Sequence, residues 1–157
     1  MDSLTLRPAR VDDAELIWIW RNCEDAYKYY KNPHRQTLED HTRWLGSAIN
    51  DSRRSLWMID DDDQPVSHVR FDYISERVVS VSIVVDPSEY GKAIGKRSLS
   101  LALESKVASG ESINIIAEIH TENIASRKLF EAAGFKRHSE CDPFLSYMLS
   151  LPLTTST

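Results

Sequence analysis

The chain predicts a mixed α/β (α+β) fold: one sheet of six to seven strands with helices on both faces. Three observations carry that prediction. Helical periodicity dominates the segment before Asp51, two apolar runs around an aspartate-rich turn read as a hairpin, and the second half alternates β-branched runs with helical segments. A hairpin-rich half joined to βαβ crossovers gives a sheet that is neither purely parallel nor purely antiparallel.

Leu4-Thr5-Leu6-Arg7 alternates and then meets Pro8, as a short first strand does. Asp12 and Glu15 have capping-box spacing ahead of Leu16, Ile19, Trp20 and Cys23, which predicts a helix over about 13–22. Residues 25–36 carry Tyr27, Tyr29, Tyr30, His34 and Arg35 around Pro33, and read as an irregular segment or a short helix. Thr37 and Asp40 repeat the cap spacing. Leu38, His41, Trp44, Leu45 and Ala48 then mark a second amphipathic helix.

Residues 55–59 form a strand, 60–65 a turn and 66–73 a returning strand. The four consecutive aspartates, Asp60 to Asp63, lack the spaced ligands, glycine and closing glutamate of a calcium loop, so no metal is expected there. Residues 77–85, nearly continuous in Val and Ile, fit a central strand covered on both faces. The next helix starts after Gly91 and runs to about Ser109, with Ile94, Leu101 and Ala108 on one side and Leu99 and Leu103 on another; Gly110 ends it. A strand over 113–119, a helix over 123–133 closed by Gly134, and strands over 135–138 and 144–151 complete the order. Residues 1–151 are read as one domain and 152–157 as a frayed tail.

A chain of 157 residues, 41% apolar and 27% charged, suits one folded domain. Its net charge of −5 argues against general nucleic-acid binding, which needs clustered cations over a wide face. No run approaches membrane-spanning length and the first residues lack the basic and apolar regions of a signal peptide, so the expectation is a cytoplasmic protein with no membrane partner. Cys23 and Cys141 have no metal-ligand or redox spacing and are expected to be free thiols.

The stretch 83–97 joins a strand to a short turn with two glycines and three cations, and then to a helix. Such a junction offers backbone N–H groups and the positive end of a helix dipole to an anion. Its residues Val85-Asp86-Pro87-Ser88-Glu89-Tyr90-Gly91-Lys92-Ala93-Ile94-Gly95 resemble the Val-x-Pro-x-x-Arg/Gln-Gly-x-Gly-x-Gly/Ala loop of the GNAT superfamily of acyl-CoA-dependent N-acyltransferases. The stretch from Asn123 to Phe135, with Ser126, Leu129, Phe130 and Gly134 in register, is similar to that superfamily's Asn-x-x-Ser/Ala-x-x-Leu-Tyr-x-x-x-Gly-Phe pattern.

The resemblance implies a sheet splayed between its fourth and fifth strands, with the pantetheine arm of acetyl-CoA in the wedge against main-chain groups of Ile83 and Val85. It gives the pyrophosphate to the loop at Tyr90, Gly91, Lys92, Ala93, Ile94, Gly95 and Lys96, and places Asn123, Ser126 and Phe130 on the pantetheine side. No metal is implied. Tyr90 and Ala93 depart from the pattern, and Phe130 stands where many members carry a tyrosine that protonates the leaving thiolate.

Transfer needs a neutral amine and a proton acceptor. The resemblance implies Glu118 as the base. His120, on the same face of the strand by its period of two, is the second candidate. Trp20-Arg21-Asn22, His41 with Trp44, and the strand through Arg70 resemble signatures of the UDP-amino-sugar N-acetyltransferases of nonulosonic-acid (pseudaminic-acid type) pathways, which implies a nucleotide-sugar amine at those residues. Two other readings stand beside it: an N-terminal acetyltransferase of ribosomal proteins or peptides, and a weakly catalytic acyl-CoA-binding module. A monomer and a homodimer are equally compatible with the sequence.

Overall fold

The computed structural model describes residues 3–31 and 35–153. Pro33 and His34 of the predicted irregular segment, and 154–157 of the predicted tail, lie outside the described residues. Seven strands form one sheet among those residues: β1 (Leu4–Pro8), β2 (Arg54–Asp61), β3 (Gln64–Tyr73), β4 (Val78–Val85), β5 (Ile113–His120), β6 (Lys136–Cys141) and β7 (Phe144–Leu151). Their order is β1-β2-β3-β4-β5-β7-β6. The helices are α1 (Ala14–Arg21), α2 (Glu24–Tyr27), α3 (Leu38–Ile49), α4 (Ile94–Ala108) and α5 (Ile124–Ala132). None is long and apolar enough to cross a membrane.

Strand periodicity divides the core between the two faces. Val69 and Phe71 of β3 and Val79 and Val81 of β4 pack with Leu99, Ala102 and Leu103 of α4. On the other face Leu56 and Met58 of β2 and Val84 of β4 meet Ile17 and Trp20 of α1 and Leu45 and Ala48 of α3. The same alternation puts His68 and Arg70 of β3 on the α1 and α3 side, where they lie beside Val84 and Ser82 of β4 in the antiparallel register.

The sheet is antiparallel except between β4 and β5. There the parallel pairing covers only Val78, Val79 and Ser80 against Asn114, Ile115 and Ile116. Beyond Ser80 the strands part, while β4 stays paired with β3 up to Val85. The expected splay is therefore present, and it opens toward the C-terminal end of β4.

Several local expectations change. The carboxylate that organises the start of α1 is Asp13, not Asp12: it accepts from the Arg10 N–H at 2.7 Å and holds both Nη groups of Arg7 at 2.9 Å. The aspartate turn shortens to Asp62 and Asp63, both left-handed at φ 48 and 69, because such a pair matches the twist of a tight hairpin and lets β2 and β3 run further than predicted. In α4 the buried stripe is Ile94, Ser98, Leu99, Ala102, Leu103 and Lys106, whereas Ala108 is exposed. Among the described residues of the 25–36 segment, the helical part is the end of the short helix α2, which starts at Glu24. Thr37 caps α3 as expected, its Oγ1 accepting from the Asp40 N–H at 3.1 Å.

Candidate active site

At the splay, β4 is followed by Asp86, whose side chain accepts from the Ser88 N–H at 2.9 Å and starts a turn of 3-10 helix over Pro87–Glu89. Gly91 (φ 85) and Ala93 (φ 59) are both left-handed, and they turn the chain into α4. Among the described residues no side chain caps α4, and the first bond of its ladder runs from the Arg97 N–H to the Ala93 carbonyl at 3.1 Å. The N–H groups of Ile94, Gly95 and Lys96 are thus those a helix start leaves for an outside acceptor.

A Cβ on Gly95 would lie 3.6 Å from both Val85 Cγ2 and Leu129 Cδ2. The two motifs, distant in sequence, meet here: the end of β4, the first turn of α4 and the inner face of α5 share one corner. Asn123 caps α5 by accepting from the Ser126 N–H at 3.2 Å. Lys92 is engaged with Glu89 at 3.0 Å and Tyr90 is 48% exposed. Lys96 lies on the outer side of α4, along a groove shared with Ala132 and Leu149. Ile94 sends its side chain into the core, so only its backbone faces the turn.

On the opposite face of β4 lies a cleft of about 550 Å³ between α1, α3, β3 and the segment after α2. Arg21, Asn22, His41, Trp44 and Arg70, all expected at a substrate site, line it together with Ile83. Arg70 gives its Nε to Asp72 Oδ2 at 2.8 Å, and Asp72 Oδ1 takes Arg54 Nη1 at 2.8 Å. One carboxylate behind the wall therefore holds two guanidinium groups, both of them from residues that line the cleft. Trp44 lies under Arg70 at 4.9 Å and under Arg54 at 5.7 Å, and Tyr30 under Arg21 at 5.1 Å.

Two histidines in this cleft are held neutral. His68 is 2% exposed, and burial, with Arg70 nearby, pushes its pKa down to about 3. Its Nδ1 lies 2.9 Å from the Trp57 carbonyl, and the Nε2 of both His68 and His41 is buried without a partner among the described residues. Burial and then Arg21 and Arg70 lower His41 to about 4. Among the described lining residues there is no Asp or Glu.

Two of the expected site residues lie buried in the core. Trp20 is 2% exposed and packs in the core with Ile17, three residues back on the same helix face; Trp18 takes its place on the cleft, its Nε1 donating to the Gln36 carbonyl at 2.8 Å. Phe130 is 3% exposed and packs edge-on against Phe135 at 5.0 Å, so its ring belongs to the core and not to the wedge. Asn22 lines the cleft but uses its Nδ2 to close α1 on the Trp18 carbonyl at 2.8 Å.

Glu118 and His120 share the outer side of β5, as their spacing required. Glu118 Oε2 meets Lys31 Nζ at 2.9 Å, which sets it at the rim, beside a residue that lines the cleft. The His120 ring lies 5.4 Å from both Tyr29 and Phe144, and its Nδ1 accepts from the Glu122 N–H at 3.1 Å. Lys31, Arg54 and His68 escaped the sequence reading as site residues. For His68 the signal was present, since a residue two before Arg70 on a strand shares its face.

Comparison with known proteins agrees with this geometry. A family model described as an acetyltransferase (GNAT) domain matches residues 3–136. An uncharacterized protein of Methanocaldococcus jannaschii is 30% identical over 142 residues, covering 85% of this chain; the chain spans only 28% of that relative's length. The spermidine N-acetyltransferase of Vibrio cholerae, solved with CoA and spermine, superposes with a TM-score of 0.84 at 18% identity over 96% of each chain. The N-acetyltransferase PseH of Campylobacter jejuni does so at 0.73 and 18% identity, over 95% of this chain and 99% of that one. At such identities the solved structures speak for the fold. The family match covers most of the chain and includes the splayed strands and the α4 turn, so the chain belongs to the GNAT acetyltransferase domain family.

Proposed function

We propose that the chain is an acetyl-CoA-dependent N-acetyltransferase whose acceptor is a UDP-linked 4-amino-dideoxy sugar. The observation that carries the acceptor class is the charge of the cleft: Arg21, Lys31, Arg54 and Arg70 line it, with no carboxylate among the described lining residues. Glu118 meets Lys31 and Asp72 holds Arg54 and Arg70, so the wall keeps a smaller positive charge than its four cations, one that suits a diphosphate better than a polyamine, an aminoglycoside or a basic peptide. Trp18, Trp44, Tyr27 and Tyr30 add flat surfaces suited to a base.

The splay and the uncapped α4 turn fit CoA, whose pyrophosphate the N–H groups of Ile94, Gly95 and Lys96 would hold. When bound, acetyl-CoA supplies the activated acyl group. A cationic wall also favours the neutral form of a bound amine, which is the form that attacks. Glu118, at the rim beside Lys31, takes the surplus proton through water in this reading.

The test is release of CoA thiol from acetyl-CoA with a panel of UDP-4-amino sugars, spermidine, an aminoglycoside and basic N-terminal peptides. Turnover confined to the UDP-amino sugars is expected. Turnover confined to the peptides or spermidine would overturn the sugar reading.

A further inference from the structure

His68 is the most deeply buried polar group facing the cleft, and nothing in the reading above uses it. Its surroundings fix its tautomer. The Trp57 carbonyl, 2.9 Å from Nδ1, can only accept, so Nδ1 carries the hydrogen and Nε2 is left as a bare lone pair. That lone pair is buried without a partner among the described residues, on a ring 2% exposed in a wall of the cleft. An unsatisfied buried acceptor costs on the order of 1–3 kcal/mol, so its place is explained if a ligand supplies the donor.

The register says which part of the ligand that is. His68 lies opposite Val84, one residue from the end of β4, where the strand opens toward the α4 turn. Arg70 lies opposite Ser82, two residues further from that end on the same face. Two residues along a strand span about 7 Å, comparable to one pyranose ring with its exocyclic bonds. An anion at Arg70 thus leaves a ring-borne donor beside His68, at the acyl end.

We infer that His68 Nε2 accepts a hydrogen bond from the acceptor amine and aims the nitrogen lone pair at the acyl carbon, making His68 the residue that selects for an amine one sugar ring away from the anion. The inference rests on the reading of this cleft as the acceptor site of an N-acetyltransferase. In the transfer the nitrogen pair forms the N–C bond and the C–S bond breaks with its electron pair on sulfur. The proton shed by nitrogen passes through water to Glu118 and on to the CoA thiolate. His68 takes no proton, in keeping with its burial and with the cations Arg21 and Arg70 that face it beside His41.

Two substitutions separate the ring's two nitrogens. His68→Asn keeps an N–H for the Trp57 carbonyl and removes Nε2, whereas His68→Gln sets an amide oxygen near the Nε2 position. Thiol release is measured for both variants with whichever amine of the panel the unsubstituted enzyme accepts, beside their melting temperatures and KM for acetyl-CoA. The expected result for His68→Asn is a loss of about tenfold in kcat/KM for the amine, the worth of one buried hydrogen bond, with KM for acetyl-CoA unchanged. His68→Gln recovers part of that loss. A second readout needs no turnover: the unsubstituted enzyme binds the UDP-4-amino sugar about tenfold more tightly than its analogue with hydrogen in place of the amine, and His68→Asn does not discriminate.

Full activity of His68→Asn, or equal losses in the two variants, overturns the inference. Turnover of a peptide or polyamine instead of the sugar, with the same loss in His68→Asn, upholds the amine contact, overturns its selection for a ring-borne amine and removes the sugar reading. An unsubstituted enzyme that releases thiol with none of the amines removes both.

Discussion

Lys31 Nζ stands 2.9 Å from Glu118 Oε2, joining the segment after α2 to the outer side of β5. The pair brings the expected base to the rim of the cleft and supplies one of its cations. Glu118→Gln is expected to lower kcat at least tenfold without changing the affinity for acetyl-CoA, while Lys31→Met keeps kcat within about twofold. Steady-state kinetics on both variants decides the matter. Equal, small effects would reduce the pair to a surface ion pair with no part in proton transfer.

Arg70 is expected to matter for the acceptor alone. Replacing it with Met removes a guanidinium from the lining of the cleft, and KM for the acceptor rises about tenfold to a hundredfold with KM for acetyl-CoA unchanged. Asp72→Asn acts in the same direction but more weakly, since it only loosens the hold on Arg70 and Arg54. A parallel rise in the acetyl-CoA KM would place Arg70 outside the acceptor site.

The buried histidines make stability depend on acidity. Their folded pKa values, about 3 for His68 and about 4 for His41, lie below the ordinary 6.5, so the unfolded chain binds more protons in between. Their contribution is complete above pH 6.5 and falls as pH drops toward the folded values, with a slope of about 1.4 kcal/mol per pH unit for each. Urea midpoints at several pH values between 7 and about 4 should therefore decline more steeply for the native chain than for His68→Asn. Identical slopes would show that His68 is not held neutral by the fold.

Asp13 anchors a network with Arg7 and, through Arg7 Nε, with Asp60 at 2.7 Å. Burial acts to raise the Asp13 carboxyl, but the hydrogen bonds from Arg7 and the Arg10 N–H outweigh it and hold the group below the usual carboxylate range. Asp13→Asn leaves a half-buried guanidinium without its main partner and is expected to cost about 2–4 kcal/mol in urea unfolding. A cost under about 0.5 kcal/mol would mean that the network is screened like a surface pair.

Ala93 holds φ 59 at the entry to α4. A glycine there avoids the contact that disfavours a left-handed residue with a Cβ, so Ala93→Gly is expected to stabilise by about 1 kcal/mol. A melting temperature that falls would mean that flexibility gained in the unfolded chain outweighs that relief.

The two motif stretches were legible because they need particular residue types at fixed backbone positions. Even the departure at Ala93 was visible, although only the structure shows it adopting a glycine-like conformation regardless. Trp18 and Trp20 were not separable in this way: both are large, and only the packing of Trp20 with Ile17 puts one in the core and the other on the cleft. Phe130 matched the motif by sequence while its ring turned to Phe135, because register in a pattern specifies position along a helix and not what a side chain meets. The meeting of Arg54 with Asp72 depends on the β2 to β3 register, which the two-residue turn and an irregularity between Ile59 and Asp60 set together and which strand patterning does not reveal.

The seam between β4 and β5 holds by three residue pairs, so the sheet is two plates joined along a short weld. A bound pantetheine arm lying along Ile83 and Val85 would act as a further strand and lengthen that weld. Such a ligand is part of the scaffold as well as a reactant, and heat resistance becomes a gauge of its concentration. At a hundredfold excess over Kd the gain is about 2.7 kcal/mol, readable as a rise in melting temperature before any amine is supplied.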